Sequence, residues 1–175
     1  FGLRRGGKSY YAVDVSYPDA AIPKLLWKID PTMADFTELG MTFSTPRVGW
    51  VRFENDPLNQ FGGANVPVPV VIFGGGYNGH GVTSGDHHQS GTGGPSKDTI
   101  LGTPFIGADT QGNAIYIVHA RTGQLIWKVT STGTASATHY VNAMMEHGIA
   151  APVSPMDSDG DGILDRLYVA DTGGR

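Results

Sequence analysis

At 175 residues the chain is long enough to bury a sizeable core, and 39% hydrophobic against 16% charged residues excludes a disordered polymer. A formal net charge of -4, with arginines thinly scattered, leaves no basic footprint for nucleic acid. The absence of cysteine excludes disulfide frameworks and thiolate metal sites, and the longest apolar run, residues 66–73, is broken by Pro67 and Pro69 and far too short for a transmembrane segment.

The 26 glycines and 11 prolines are spread along the whole length, and no stretch carries an extended helical period. This predicts an all-β chain of short strands joined by turns. In chain order, the first apolar strand is Tyr10-Tyr11-Ala12-Val13-Asp14-Val15, followed by a strand ending in tryptophan, Leu25-Leu26-Trp27-Lys28-Ile29. A proline-led strand start, Ser44-Thr45-Pro46-Arg47-Val48, leads to a second apolar strand, Val70-Val71-Ile72-Phe73. The same pairing recurs as Gly102-Thr103-Pro104-Phe105-Ile106 with Ala114-Ile115-Tyr116-Ile117-Val118, and as Ala150-Ala151-Pro152-Val153-Ser154 with Leu167-Tyr168-Val169-Ala170. The three prolines stand 58 and 48 residues apart. A second tryptophan strand, Leu125-Ile126-Trp127-Lys128-Val129, follows the turn Arg121-Thr122-Gly123.

Self-similarity with a period near 50 residues fits the four-stranded antiparallel blades of a β-propeller, with three to four blade-equivalents in this chain. The tryptophans are read as blade-to-blade packing residues. Propellers close with more blades than this, so residues 1–175 are read as a portion of a single propeller domain whose remaining blades belong to a longer parent. Phe1 in place of an initiator methionine and the Gly173-Gly174-Arg175 end favour the same expectation.

Two insertions interrupt the repeat. Residues 74–97, rich in Gly, Ser, Thr and His, read as a long loop, and residues 130–148 as a second one with a short helical turn at Asn142–Glu146. His80, His87 and His88 of the first loop lack accompanying carboxylates, and a solvated loop is the favoured reading. His119, His139 and His147 show no ligand spacing and are read as structural.

The most specific motif lies in residues 157–165, Asp157-Ser158-Asp159-Gly160-Asp161-Gly162-Ile163-Leu164-Asp165. Carboxylates at alternate positions flank a glycine that permits a sharp turn, the arrangement by which one loop wraps a hard cation. The expected calcium (Ca2+) ligands are Asp157, Asp159, Asp161, the main-chain carbonyl of Ile163, and Asp165. An EF-hand would carry a bidentate glutamate where Tyr168 stands, inside an apolar run, so the loop is predicted to feed a strand.

Taken together, residues 2–15, the Leu25–Ile29 strand, Val71–Tyr77, Gly112–Val118 and Asp157–Gly174 resemble the PilC/PilY type IV pilus-tip proteins of Gram-negative bacteria, in their C-terminal propeller domain. The resemblance implies a secreted, non-catalytic protein. Its place would be the pilus tip or outer membrane, reached by export through the periplasm. Its partners would be pilins or minor pilins and host or abiotic surfaces, and its role pilus assembly, control of extension and retraction, twitching motility and attachment. It also implies calcium in the acidic loop. One departure is His119, which stands where that family carries an aspartate before the Thr-Gly turn and so removes a carboxylate cap. The alternative reading is a quinoprotein dehydrogenase fragment, because residues 120–127 also resemble the tryptophan repeats of those enzymes. Those enzymes draw their calcium ligands from separate blades, and the chain shows no Ser/His/Asp general-base pattern.

Overall fold

A computed structural model describes residues 7–16, 23–53, 63–77, 99–100, 103–104 and 109–174. Most of the 74–97 insertion, including His80, His87 and His88, lies outside the described residues, as do residues 2–6 of the first matched stretch and residues 102, 105 and 106 of the second proline-led start.

The chain is all-β. Eleven strands are described, β1 (Tyr10–Asp14), β2 (Lys24–Ile29), β3 (Arg47–Arg52), β4 (Pro67–Gly74), β5 (Thr99–Ile100), β6 (Thr103–Pro104), β7 (Ala114–His119), β8 (Leu125–Thr130), β9 (His139–Val141), β10 (Ser154–Met156) and β11 (Arg166–Tyr168). A single 3-10 turn at Ala34–Phe36 is the helical piece among the described residues. Strands β3-β4-β7-β8-β9 form one sheet, and β1-β2, β5-β6 and β10-β11 form two-stranded sheets.

The central sheet is apolar on both faces because its strands alternate two sets of apolar side chains. One face carries Phe73, Tyr116 and Val118, and packs against Tyr10, Trp27 and Ile29 of the β1-β2 hairpin and Phe36 and Leu39 of the loop behind it. The opposite face carries Val51, Val68, Val70, Ile72, Ile115 and Val129, and meets Ile149, Val153, Leu164 and Leu167. Three sheets are therefore stacked in succession with the largest in the middle.

The two tryptophan hairpins repeat residue for residue. Ala12 faces Trp27 and then Val13 faces Leu25, with a bulge between, while Ile117 faces Trp127 and Val118 faces Leu125, with a bulge at the same place. The packing role read for Trp27 follows from its contacts. Its indole Nε1–H donates to the Ala120 carbonyl at 2.9 Å, and a Cβ built on Gly123 would lie 2.7 Å from its ring. The tryptophan of one hairpin thus closes over the Thr-Gly turn of the next, which needs a glycine both for that approach and for its φ of +72°.

Several expectations are corrected. Among the described residues the antiparallel four-stranded array predicted for a blade is seen once, as β3-β4-β7-β8, and the flanking sheets show two strands each. Of the three proline-led starts, β3 hydrogen-bonds with the apolar strand that follows it, β4, and β10 with β11, whereas β6 pairs with β5 and β7 joins β4. Pro67 and Pro69 do not break the apolar run: both lie in β4, opposite Arg52 and Trp50, beyond the point where β7 begins to pair, so no ladder bond on that side needs their missing N–H. The second insertion contributes a strand, since β9 runs parallel to β8. The helical turn expected at 142–146 is a tight turn in which Asn142 accepts the Met145 and Met144 N–H groups. His119 keeps a cap on its turn, because its Nδ1 lies 3.0 Å from the Thr122 hydroxyl.

Two tests follow from this packing. Gly123→Ala should destabilise the chain by about 2 kcal/mol or more through the positive φ and the clash with the Trp27 ring, and Trp27→Ala should relieve the steric part; chemical denaturation of both single variants and the double variant would reveal that coupling. Asp30 supplies the second. The Lys28 ammonium at 2.8 Å, with the hydroxyl and N–H of Thr32, holds its carboxyl down at about 2. This depressed group contributes stability that is complete above its ordinary 3.8 and lost as pH falls through about 2. An NMR titration should record that value, and Lys28→Ala should move it back toward 3.8.

Candidate metal centre

The acidic loop connects β10 to β11, confirming that it feeds a strand. Its two ends are tied down. The Asp165 N–H donates to the Met156 carbonyl at 3.0 Å, continuing the hairpin ladder, and the Leu164 N–H donates to the Trp50 carbonyl of β3 at 2.8 Å. The Leu164 side chain fills the space above Gly49, where a Cβ would come within 2.4 Å of it.

Within the loop the backbone folds back on its own carboxylates. Asp157 accepts the N–H groups of Gly160 at 2.7 Å and Gly162 at 2.8 Å, Asp159 accepts that of Asp161 at 3.2 Å, and Asp161 accepts that of Ile163 at 2.8 Å. Asp165 accepts both the N–H and the hydroxyl of Ser158, at 2.8 and 2.6 Å. Gly160 and Gly162 adopt φ of +81° and +86° with open space where a Cβ would stand, so glycine is needed there for conformation alone. The Gly162 and Gly160 N–H groups lower the Asp157 pKa, and Ser158 lowers that of Asp165, which keeps both groups ionised.

Carboxylate oxygens of Asp157, Asp159 and Asp165 all lie within 4.8 Å of one another. Oxygens sharing one calcium at about 2.3–2.6 Å are separated by no more than about 5 Å, so this cluster fits such an ion. The donor set, hard oxygen without sulfur or imidazole, suits calcium or magnesium over zinc or copper. Each carboxylate has lone pairs left after its backbone bonds.

The structure brings together three of the five expected ligands. Asp161 falls outside the cluster, and its Oδ2 lies 3.3 Å from the Arg52 guanidinium of β3, in an ion pair about 40% exposed on both sides. Ile163, half-buried, uses its N–H on Asp161, and its carbonyl stands as an expected ligand only. Arg52 was not legible in the sequence, since it lies more than a hundred positions away and nothing local marks it. The described histidines make other contacts: His119 Nδ1 meets the Thr122 hydroxyl, His139 Nε2 meets the Thr130 hydroxyl at 2.7 Å, and His147 packs on Gly173.

No protein-family profile matches the chain. It is 26% identical over 175 residues to the type IV pilus biogenesis factor PilY1 homolog of Xylella fastidiosa, an alignment that spans 99% of this chain and 9% of that protein. The fold is similar to the crystal structure of the Pseudomonas aeruginosa PilY1 C-terminal domain, with a TM-score of 0.53 and 24% identity, over 97% of this chain and 24% of that one. The resemblance to the PilC/PilY proteins thus holds in both sequence and fold along nearly the whole chain, which covers a small part of each relative.

Arg52 holds the Asp161 carboxylate that the expected calcium set would use. Calorimetric calcium titration should show one ion per chain, with affinity lowered at least 10-fold in Asp157→Ala. Arg52→Gln should raise affinity by up to about 5-fold, the equivalent of an exposed ion pair. Unchanged affinity in both variants would remove the cation from this loop.

Proposed function

We propose that this chain is a calcium-binding segment of the propeller domain of a type IV pilus biogenesis protein, exposed at the cell surface on the pilus tip or outer membrane. The observation that carries the reading is the three-carboxylate cluster of Asp157, Asp159 and Asp165, set in a chain similar to PilY1 proteins along nearly its whole length. In this reading residues 1–175 form part of one propeller, with loops inserted at about 74–97 and 130–148 and the calcium loop at 157–165. Calcium takes Asp157, Asp159, Asp161, the Ile163 carbonyl and Asp165. Its partners are pilins or minor pilins, the remaining blades of the parent, and host or abiotic surfaces. The chain has no catalytic role and supports pilus assembly, extension and retraction, twitching and attachment.

The physical basis is electrostatic. Several carboxylates held within a few ångströms repel one another, and a dication offsets that repulsion only in the wrapped conformation. Because the ion binds the ordered loop and not the disordered one, loop order rises with calcium by mass action. The loop is fastened to β3 through Leu164, so its order bears on the edge of the central sheet as well as on the β10-β11 hairpin.

A parent protein carrying Asp159→Ala and Asp161→Ala should be exported and folded, lose calcium binding, and alter surface piliation or twitching. Normal piliation and motility with calcium binding lost would reduce the ion to a structural staple and defeat the regulatory part of the proposal.

A further inference from the structure

The second core opens at its β8-β9 end. Trp127 and Val129 stand two apart on β8 and so share one face of the sheet, and Tyr140 of β9 lies directly beside Val129. The segment after β9 and the turn after β11 stand against that face. Between them is a cavity of about 320 Å³ whose wall includes Trp127, Tyr140, Asn142, Met145, Val169 and Asp171. No residue of the acidic loop lines it.

Both sides of the cavity are fixed by backbone bonds. The Asn142 N–H donates to the Thr130 carbonyl at 2.9 Å, and the Asn142 side-chain oxygen accepts the Met144 N–H at 3.1 Å. The Thr172 N–H donates to the Gly148 carbonyl at 2.9 Å, which holds the turn carrying Asp171 against the segment after β9. Tyr140 is more than half exposed, and Trp127, Asn142, Met145 and Asp171 are partly exposed, so a ligand meets them from solvent. The wall thus combines two aromatic rings, a polarizable thioether and aliphatic carbons with one carboxylate. An anion would be repelled by Asp171, and a neutral hydrocarbon would gain nothing from its charge. A cation is attracted both by the carboxylate and by the negative faces of the rings. The formal net charge of -4 acts in the same direction. An apolar cavity of about 150 Å³ suffices for benzene, so this one has room for an ion of about ten non-hydrogen atoms.

We propose that this cavity binds a compact organic cation, an alkylated or quaternary ammonium group. The alkyl groups lie against Trp127 and Tyr140, and the positive charge faces Asp171. The site is separate from the acidic loop, whose hard oxygen donors suit a metal ion.

The test uses the full chain labelled at the tryptophan indole nitrogens, titrated by NMR with choline and, separately, with 3,3-dimethylbutan-1-ol, which has the same shape with carbon in place of the charged nitrogen. Choline should give a saturable shift at the Trp127 indole and bind about 10-fold more tightly than the neutral alcohol. Tyr140→Leu keeps apolar bulk without the ring, and Asp171→Asn keeps the shape without the charge. Each should weaken choline at least about 3-fold and leave the alcohol within about 2-fold. No saturable shift at Trp127, equal affinity for the two probes, or unchanged choline affinity in either variant would overturn the proposal. If a variant fails to fold, as judged by amide dispersion, the comparison of choline with the alcohol on the unaltered chain decides.

Discussion

The middle strands of the central sheet, β4 and β7, have little face to give to water. Phe73, Tyr116 and Val118 point one way, and Val70, Ile72 and Ile115 the other, all fully or almost fully buried. A sheet of this kind is stable only when something apolar is laid on each side, at roughly 1.5–3 kcal/mol for each large side chain covered. The hairpin β1-β2 meets that requirement on one side, and β10-β11 with its flanking segments on the other. The acidic loop is placed by the same constraint, since Leu164, one residue before the last carboxylate, is a member of the second core.

The parts legible in the sequence were those whose signal is local. The tryptophan strands repeat with matching residues, and their identical bulges show that the same register follows from the same pattern of side chains. The acidic loop was legible for a similar reason: carboxylates and glycines at fixed spacing dictate a turn whatever surrounds it. Strand partnership was less legible. Thr103-Pro104 has the same proline-led start as the others, yet a two-residue strand carries no information about which neighbour it will join. Strand β9, with His139 and Tyr140 in a polar insertion, owes its existence to the exposed edge of β8.

Contacts between distant segments were not legible at all. The pairing of Arg52 with Asp161 and the packing of His147 over Gly173 arise from how the layers meet. The case of His119 is intermediate. An aspartate is missing from the turn, but the His119 imidazole meets the Thr122 hydroxyl, so the turn keeps a side-chain contact of different chemistry.

The two ends of the central sheet have a bearing on solubility. Open strand edges invite pairing with other molecules, which is a route to aggregation. Among the described residues one edge is β9, only three residues long and therefore a poor template. The other edge, β3, has arginines at both ends, and the Trp50 carbonyl is already taken by the Leu164 N–H. The same bond that holds the acidic loop in place thus removes an acceptor from the outer rim of the sheet, so a loop that comes undone would expose a sticky edge as well as a cluster of charges.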